Sequence, residues 1–328
     1  MLKGKSGFRS MAGAMLLAAG LMSGPAQSAE TIAAAGPIGG SDINSALLPP
    51  EGLWITGLGL GVGFSDYYDD KGDEMAAGGS DKLAGVGLLY SYPGQFMGGQ
   101  LASSLFVGYE RLCFNVKPYA KNCSSGAKDI YSDVLMWSRY FPNAHAMNQP
   151  QDAVPQPYGL GVLVGLGVTA PTGSYDKDKP INNGSNIWGF SPNIALTYTM
   201  PSPLPEVFGE AMQFSGRLFY HKYSENKDTK FQTGDVISLD WAITMGKGSW
   251  RYGLAGLAYK QLEDDTIDGV VHPNNGNRSS VFGLGPIVSR DFMWGERPAN
   301  ITIKGIQSVY GNNVAKSTGL LARVSVKF

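Results

Sequence analysis

The sequence predicts an all-β fold, a transmembrane antiparallel up-and-down β-barrel of about twelve strands. Three observations predict it: apolar side chains at every second position in many segments, 45 glycines with only 16% charged residues, and a last segment that stops at an aromatic residue. Successive side chains of a strand point to opposite faces, so a period of two indicates strands. In a membrane barrel the apolar face contacts lipid and the other face lines the lumen.

The N-terminus predicts export. Three basic residues precede an apolar core over residues 11–22, which is too short to cross a membrane as a helix. A Gly-Pro break and small residues follow, so we expect a signal peptide over residues 1–29, cleaved after Ser28 or after Ala29. Residues 30–50 are weakly patterned, and we interpret them as an irregular lead-in. They could enter the lumen as a partial plug or lie loose in the periplasm, and we favour the second arrangement.

Eleven further segments before the last one carry the alternation, and they place the barrel over residues 51–328. In several of them, glycines alternate with the apolar residues and so occupy the opposite face of the strand. This is typical of a barrel with lipid outside and a narrow lumen inside. In order, the segments are residues 54–64, 84–92, 99–112, 128–141, 158–170, 188–200, 212–221, 237–245, 250–254, 282–291 and 301–304.

The twelfth segment, residues 319–328, would close the barrel. Leu320, Ala322, Val324, Val326 and Phe328 share one face of it. A strand that ends in an aromatic residue resembles the closing strand of bacterial outer-membrane barrels, which the assembly machinery reads. We therefore expect Phe328 to be an assembly signal, and the barrel assembly machinery to be a partner.

The connections predict an orientation. With both termini in the periplasm, the links that face outward are polar and mostly long: residues 65–81, 113–127, 172–186, 224–233, 263–277 and 311–317. The opposite links include short ones, such as residues 92–98 and 246–249. Cys113 and Cys123 fall in one outward loop, and in an oxidising compartment we expect a disulfide there rather than a metal site.

Composition limits the partners. The chain has 26 basic and 27 acidic residues, so nothing suggests a nucleic-acid partner, which needs a cationic surface. The expected partners are outer-membrane lipids, lipopolysaccharide and a small-molecule substrate, with no metal and no cofactor.

The inward face predicts a charged lumen. In the fourth segment we predict that Val134, Met136 and Tyr140 point outward. Leu135 and Trp137 then point inward, as apolar exceptions on a polar face. A surplus of cations would attract small carboxylates or phenolates; alternatively, the charges form a ladder of internal salt bridges. The candidate lumen-lining residues are Asp133, Arg139, Arg217, His221, Asp240, Arg251, Lys304 and Arg323.

Two residues of the sequence suggest an enzyme as an alternative to a channel. His272 and Ser279 lie close in sequence, and some twelve-stranded outer-membrane barrels are phospholipases that use these residue types. A Ser–His pair needs a rigid hydrogen bond between base and nucleophile. His272 lies instead in a stretch of Pro, Asn and Gly, which is typical of a turn, so we do not expect an enzyme.

Most of the chain, roughly residues 48–328, resembles a known family. The order APTGSYDKDKPINNGSNIWGFSPNIALTY, YSENKDTKFQTGD, SLDWAI and NRSSVFGLGPIVSRDF is similar to the family known as the MetA pathway of phenol degradation, a group of outer-membrane transporters. The similarity is strongest from residue 158 onward. It implies a barrel that assists the uptake of hydrophobic or aromatic compounds. A structural or adhesive barrel without transport is the alternative.

Overall fold

The computed structural model describes residues 39–117, 120–149 and 154–328, so the expected signal peptide and residues 30–38 lie outside it. The described chain is almost entirely β-structure. Its elements are β1 (Gly52–Tyr68), β2 (Glu74–Ser91), β3 (Gln100–Val116), β4 (Asn122–Ala127), β5 (Ile130–Pro142), α1 (Ala144–Met147), β6 (Gly159–Ala170), β7 (Gly189–Pro201), α2 (Pro205–Phe208), β8 (Ala211–Tyr223), β9 (Phe231–Gln232), β10 (Val236–Lys247), β11 (Trp250–Gln261), β12 (Thr266–Ile267), β13 (Val270–Val271), β14 (Ser280–Trp294), β15 (Arg297–Asn312) and β16 (Val314–Lys327).

The sheet closes on itself. Neighbouring long strands pair antiparallel in chain order, and β1 also pairs with β16 from Trp54↔Lys327 to Tyr68↔Val314. β4 and β5 follow one another along β3, so together they form the fourth of twelve barrel strands. The predicted twelve-stranded up-and-down barrel is therefore confirmed. Within the described residues, no helix has the length and apolar character needed to cross a bilayer.

Side chains alternate as the sequence predicts in the central strands. On β6 and β7, Leu160, Val164, Phe190 and Leu196 are exposed on the outer surface, whereas the intervening glycines and small polar residues are buried. The β9, β12 and β13 strands form a separate small sheet in the loops. We call the barrel end that carries Gly52 and Phe328 the turn end, and the opposite one the loop end.

The first hairpin is longer than predicted. Residues 65–81 were expected to be a loop, but β1 continues to Tyr68 and β2 starts at Glu74. The turn between them is held by Asp69, whose carboxylate accepts the backbone N–H of Lys71 at 2.9 Å and of Asp73 at 2.8 Å. The two strands therefore extend as a paired ribbon at the loop end.

The predicted facing of the fourth barrel strand is correct for Asp133 and Val134 and wrong from Leu135 to Arg139. The pairing of β5 with β6 shifts register between Asp133 and Leu135, which is a β-bulge at Val134. A single inserted residue moves every later side chain to the other face. Met136 is consequently buried inside the barrel, whereas Leu135 and Arg139 are exposed on its outer surface.

The expectation of a loose lead-in is wrong for its described part. Residues 39–50, which we call the plug segment, lie inside the barrel and contact several strands there. Ala46 is fully buried in an apolar cluster with Met136 and Leu163, and Ile43 packs against a second cluster. The sequence of this segment has no hydrophobic periodicity. Its placement therefore depends on contacts with residues that are distant in sequence.

The loop after β6 covers the unpaired edge of β4. Ser174 exchanges backbone and side-chain hydrogen bonds with Ala127 at 2.9 and 3.0 Å. Asp129 binds both ends of the loop, since its carboxylate accepts the N–H of Gly173 at 2.8 Å and of Ser185 at 2.7 Å. An unpaired strand edge invites pairing with other chains, and this loop prevents it. A disulfide joins Cys113 to Cys123 across β3 and β4.

Gly173 is predicted to be required for this loop. A Cβ at Gly173 would lie 2.6 Å from the backbone Cα of Gly184, which cannot yield as a flexible side chain would. Gly173→Ala should therefore loosen residues 172–186, at a cost of about 1–3 kcal/mol. Limited proteolysis of the purified protein would detect it. Gly57→Ala is the control, because a Cβ at Gly57 meets nothing within 4 Å; equal protease resistance of both variants would contradict the prediction.

A second loop should respond to pH. His272 Nδ1 accepts the N–H of Asn274 at 3.2 Å, and partial burial lowers the pKa of His272 below its ordinary 6.5. The unfolded loop then binds protons more readily than the folded loop, so the contribution of His272 to stability is present above pH 6.5 and is lost as pH falls below it. As pH is lowered from about 7 to about 5, the backbone amides of residues 272–277 should lose protection, so that their exchange slows less than the intrinsic exchange rate at each pH predicts. His272→Asn, which keeps an acceptor without titrating, should remove this extra change.

Candidate functional site in the barrel lumen

Asp240 anchors the start of the plug segment. Its carboxylate lies inside the barrel and is fully buried. It accepts backbone N–H groups from Gly39 at 2.6 Å, Gly40 at 3.1 Å and Ser41 at 3.0 Å, and the Ser41 hydroxyl at 2.8 Å. A buried carboxylate needs such donors, because a charge removed from water without partners is strongly destabilising.

An ion pair binds the same segment to β15, three strands from β10 around the barrel. The Lys304 ammonium contacts the Asp42 carboxylate and also donates to the Gly39 carbonyl, and both charged side chains are almost fully buried. Arg323 donates to the Gly40 carbonyl at 2.5 Å, and its other nitrogen lies 4.0 Å from Asp42. Two carboxylates and two cations thus balance one another at this level of the lumen.

The rest of the plug segment continues across the lumen toward β2. Its backbone and short side chains are hydrogen-bonded to polar residues of the wall. In chain order, the contacts are Asn44 with Gln213 at 2.8 Å, Ser45 with Ser215 at 2.8 Å, Ala46 with Thr197 at 3.1 Å and with Ser138 at 2.6 Å, and Pro49 with Ser91 at 3.0 Å. The segment therefore spans the lumen on the side of the turn end.

A second ion pair lies farther toward the loop end. Arg217 Nη2 is 2.6 Å from Asp133 Oδ1, and both side chains are buried. Asn193 accepts from Arg217 at 2.8 and 3.0 Å, and the Tyr131 hydroxyl donates to Asp133 at 2.9 Å. The pair is satisfied on both sides, as a buried pair must be to be tolerated.

Inward side chains of β8 form a stacked row, which we call the β8 ladder. The Arg217 guanidinium lies 4.8 Å from the centre of the Phe219 ring. Phe219 stacks on His221 at 5.6 Å, and His221 on Tyr223 at 6.3 Å, with the planes within 12° and 9° of parallel. Same-face residues of a strand are about 7 Å apart, so consecutive inward rings stack along the barrel axis. His221 is also bound by Ser191 at 2.9 Å and Ser238 at 2.7 Å.

Two of the eight candidate lumen residues are placed differently from the main group. Arg139 lies outside the barrel, where its guanidinium is 4.9 Å from the Phe141 ring centre, because the bulge at Val134 reversed its direction. Arg251 faces inward near the turn end, where it donates to Gln156 at 3.1 Å. The other six lie inside the barrel in the contacts described above.

The inward charges pair with one another to a large extent. Arg217 pairs with Asp133, and Lys304 and Arg323 surround Asp42. This arrangement corresponds to the ladder of internal salt bridges rather than to a surplus of free cations. Sequence reasoning missed Asp42, which belongs to the weakly patterned lead-in. It also missed Phe219 and Tyr223, although the period of two on β8 already assigns them to the inward face.

The features weighed for catalysis do not come together. Ser279 donates its hydroxyl to Gln261 at 3.3 Å, and His272 accepts from Asn274, so the two side chains are engaged separately. Among the described residues, no three His, Cys, Asp or Glu side chains are grouped to hold a metal ion. At the chain's end, Phe328 is exposed, with the Arg297 guanidinium 4.3 Å from its ring centre.

Comparison with solved structures finds barrels of the bacterial outer membrane. The chain is similar to the COG4313 outer membrane channel from Pseudomonas putida F1, with a TM-score of 0.72 and 15% identity over 88% of this chain and 99% of that one. It is also similar to the transport unit of the autotransporter AIDA-I from Escherichia coli, with a TM-score of 0.47 and 10% identity over 98% and 99% of the chains. At such identities the likeness shows the fold alone, and the second score carries no argument.

Comparison with curated proteins finds no match. A family profile does match, over residues 124–324, from β4 into the closing strand β16. This range covers more than half of the chain, and the protein therefore belongs to the family described as "Putative MetA-pathway of phenol degradation".

Proposed function

We propose that the protein is an outer-membrane channel that assists the passive entry of small apolar or aromatic compounds, with its turn end in the periplasm. The family to which the chain belongs supports this proposal, as does the likeness of its fold to an outer membrane channel. The longest links, residues 171–188 and 262–279, lie at the loop end, and the two-residue links 248–249 and 295–296 lie at the turn end. Outer-membrane barrels typically have longer external loops and shorter periplasmic turns.

The observation that carries the proposal is the β8 ladder. Aromatic rings attract other rings in offset or edge-to-face arrangements, with about 0.5–1.5 kcal/mol beyond the burial of their area. The three rings stack on one another and are almost fully buried, so an aromatic guest would contact them by displacing neighbouring side chains, and each such contact would resemble the next. Arg217 stands at the end of the row, where its guanidinium is held by Asp133 and Asn193, so a phenol or phenolate oxygen would replace one of these acceptors.

The plug segment governs the straight path beyond the ladder. Asp240 on β10, Lys304 on β15 and Arg323 on β16 bind it, and we infer that it obstructs the axial route toward the turn end while these contacts persist. Without Asp42, the lumen at this level would carry Lys304 and Arg323 against Asp240 alone. The preference for anions is therefore expected of a lumen from which the segment has moved.

Asp42→Asn should release the plug segment. The change leaves the buried Lys304 ammonium without its carboxylate, and breaking such a pair typically costs about 3–5 kcal/mol. We expect higher single-channel conductance in planar bilayers and, in a salt gradient, a reversal potential shifted toward anions. Asp268→Asn, in an exposed loop, is the control. Wild-type conductance and selectivity in Asp42→Asn would contradict the assigned role of the plug.

Phe219→Ala should impair the uptake of aromatics specifically. The variant interrupts the ladder between Arg217 and His221, and losing about 1 kcal/mol of ring contact predicts a roughly fivefold fall in flux. The measurement is uptake of radiolabelled toluene by cells whose outer membrane contains lipopolysaccharide, with cyclohexane as the non-aromatic comparison. Phe214→Ala, on the outer surface of the same strand, is the matched control.

The alternatives give different results in the same assay. A structural or adhesive barrel would leave toluene uptake equal in cells with and without the wild-type protein. A lipid hydrolase would release fatty acid from phospholipid vesicles, and that release would stop in Ser279→Ala. Either result in place of enhanced uptake would refute the channel.

A further inference from the structure

The barrel wall is interrupted between β3 and β5. Their pairing runs from Gln100↔Ser138 to Ala102↔Met136, then resumes only at Phe106↔Tyr131. Three residues of β3 therefore face four of β5 without ladder hydrogen bonds. We call residues 103–105 and 132–135 the wall gap. It lies in the half of the barrel nearer the turn end, because β3 begins at Gln100.

Other interruptions within the strands have different features. The β7–β8 and β14–β15 pairings skip positions at Pro192 and Pro286 with the same register on both sides, whereas β1 shifts register at Ser65 and the β14–β15 pairing shifts between Phe282 and Gly283. Proline lacks the N–H that the ladder needs. The wall gap contains no proline, and its register shifts by one residue.

Serine hydroxyls bridge the wall gap on both faces. On the outer face, Ser103 donates to the Val134 carbonyl at 2.6 Å and lies 3.1 Å from the Tyr92 hydroxyl. Ser132 donates to the Ser104 carbonyl at 2.6 Å. On the inner face, Ser104 binds the Asp133 N–H at 3.2 Å and its carboxylate at 3.3 Å. Rotatable side chains thus replace fixed backbone bonds, and they can release without unfolding either strand.

The outer face of the wall gap and its inner edge nearest the turn end are apolar, whereas the buried Asp133–Arg217 pair lies at the rest of its inner face. Outside, Leu105, Val134 and Leu135 are exposed toward the hydrocarbon layer. Inside, Ala102 and Met136, the last pair before the gap, belong to the apolar cluster that also contains Ala46 of the plug segment.

The β8 ladder leads to this place. Its Arg217 binds Asp133, and Asp133 binds Ser104 at the inner face of the gap. The path along the axis beyond that point is occupied by the plug segment. Arg217, the ladder residue nearest the turn end, therefore connects the ladder to the wall gap, and the plug segment lies between this place and the turn end.

We propose that the wall gap is a lateral exit, through which small apolar compounds pass between the lumen and the hydrocarbon layer of the membrane. This inference rests on the proposed channel function and adds its route and substrate class. Uncharged hydrocarbons use the exit, because no ion needs to leave water. The plug segment keeps its contacts throughout, and ions and polar solutes are excluded from this route.

Covalent closure of the gap tests the route. Ser103→Cys with Val134→Cys places two thiols across it, to be joined by a short bifunctional methanethiosulfonate and released by reductant. Toluene uptake by intact cells should fall to the level of cells without the protein, and should recover on release. The matched control joins Leu239→Cys to Ala258→Cys, partners on an intact stretch of β10 and β11. Wild-type protein taken through the same steps controls for effects on Cys113–Cys123.

A second variant tests the same route independently, in case the cysteine variant fails to fold. Ser103→Ala with Ser132→Ala removes two bridging hydroxyls, so uptake of toluene should rise above wild type while ion conductance stays unchanged. Unaltered uptake in the closed and the loosened variants, with wild type active, would overturn the lateral exit and leave the channel standing. An equal loss in the Leu239/Ala258 control would also overturn it. Absence of uptake by wild type would instead refute the channel itself.

Discussion

Closure of the backbone hydrogen-bond ladder is the constraint on which the rest of this structure depends. In hydrocarbon, an unpaired N–H or C=O has no water to bind, so a sheet can cross a bilayer only as a closed cylinder. β1 and β16 meet this requirement by pairing along nearly their whole length. Once the cylinder is closed, each strand turns one face to lipid and the other to the lumen, and every inward residue must find its partners within a narrow lumen. In β1 the pairing places Leu58 inside beside Arg323 and the glycines outside, so hydrophobicity alone does not decide the facing.

The lumen meets that requirement with a segment of the chain itself. Asp240 lies on β10, whereas Lys304 and Arg323 lie on the neighbouring strands β15 and β16, and the plug segment connects them through its backbone and Asp42. Because the surroundings are poor in water, each charge must be matched locally. A pore lined by the same residues without the segment would expose unequal charge. The plug is thus an electrostatic component of the barrel interior as well as an obstruction.

The same constraint applies where the backbone pairing between β3 and β5 is interrupted. Between β3 and β5 the wall relies on Ser103, Ser104 and Ser132 instead of backbone pairs. Hydroxyl groups satisfy the exposed carbonyls and still allow the strands to separate locally. The polar groups there are thus satisfied by side-chain hydrogen bonds instead of regular backbone pairing. The bulge at Val134 supplies the additional residue that prevents regular pairing.

The sequence by itself determined the barrel, its twelve strands and most of its facing, because strand alternation is local and each of β6, β7, β8 and β10 carries it in full. It also determined that Arg217, His221 and Asp240 face inward. Tertiary structure alone decided the direction of Arg139, since one bulged residue reverses a strand without altering its composition. It likewise decided that residues 39–50 enter the lumen and that the charges pair. Those contacts join residues up to 283 positions apart, as between Arg323 and Gly40, and no local pattern encodes such a distance.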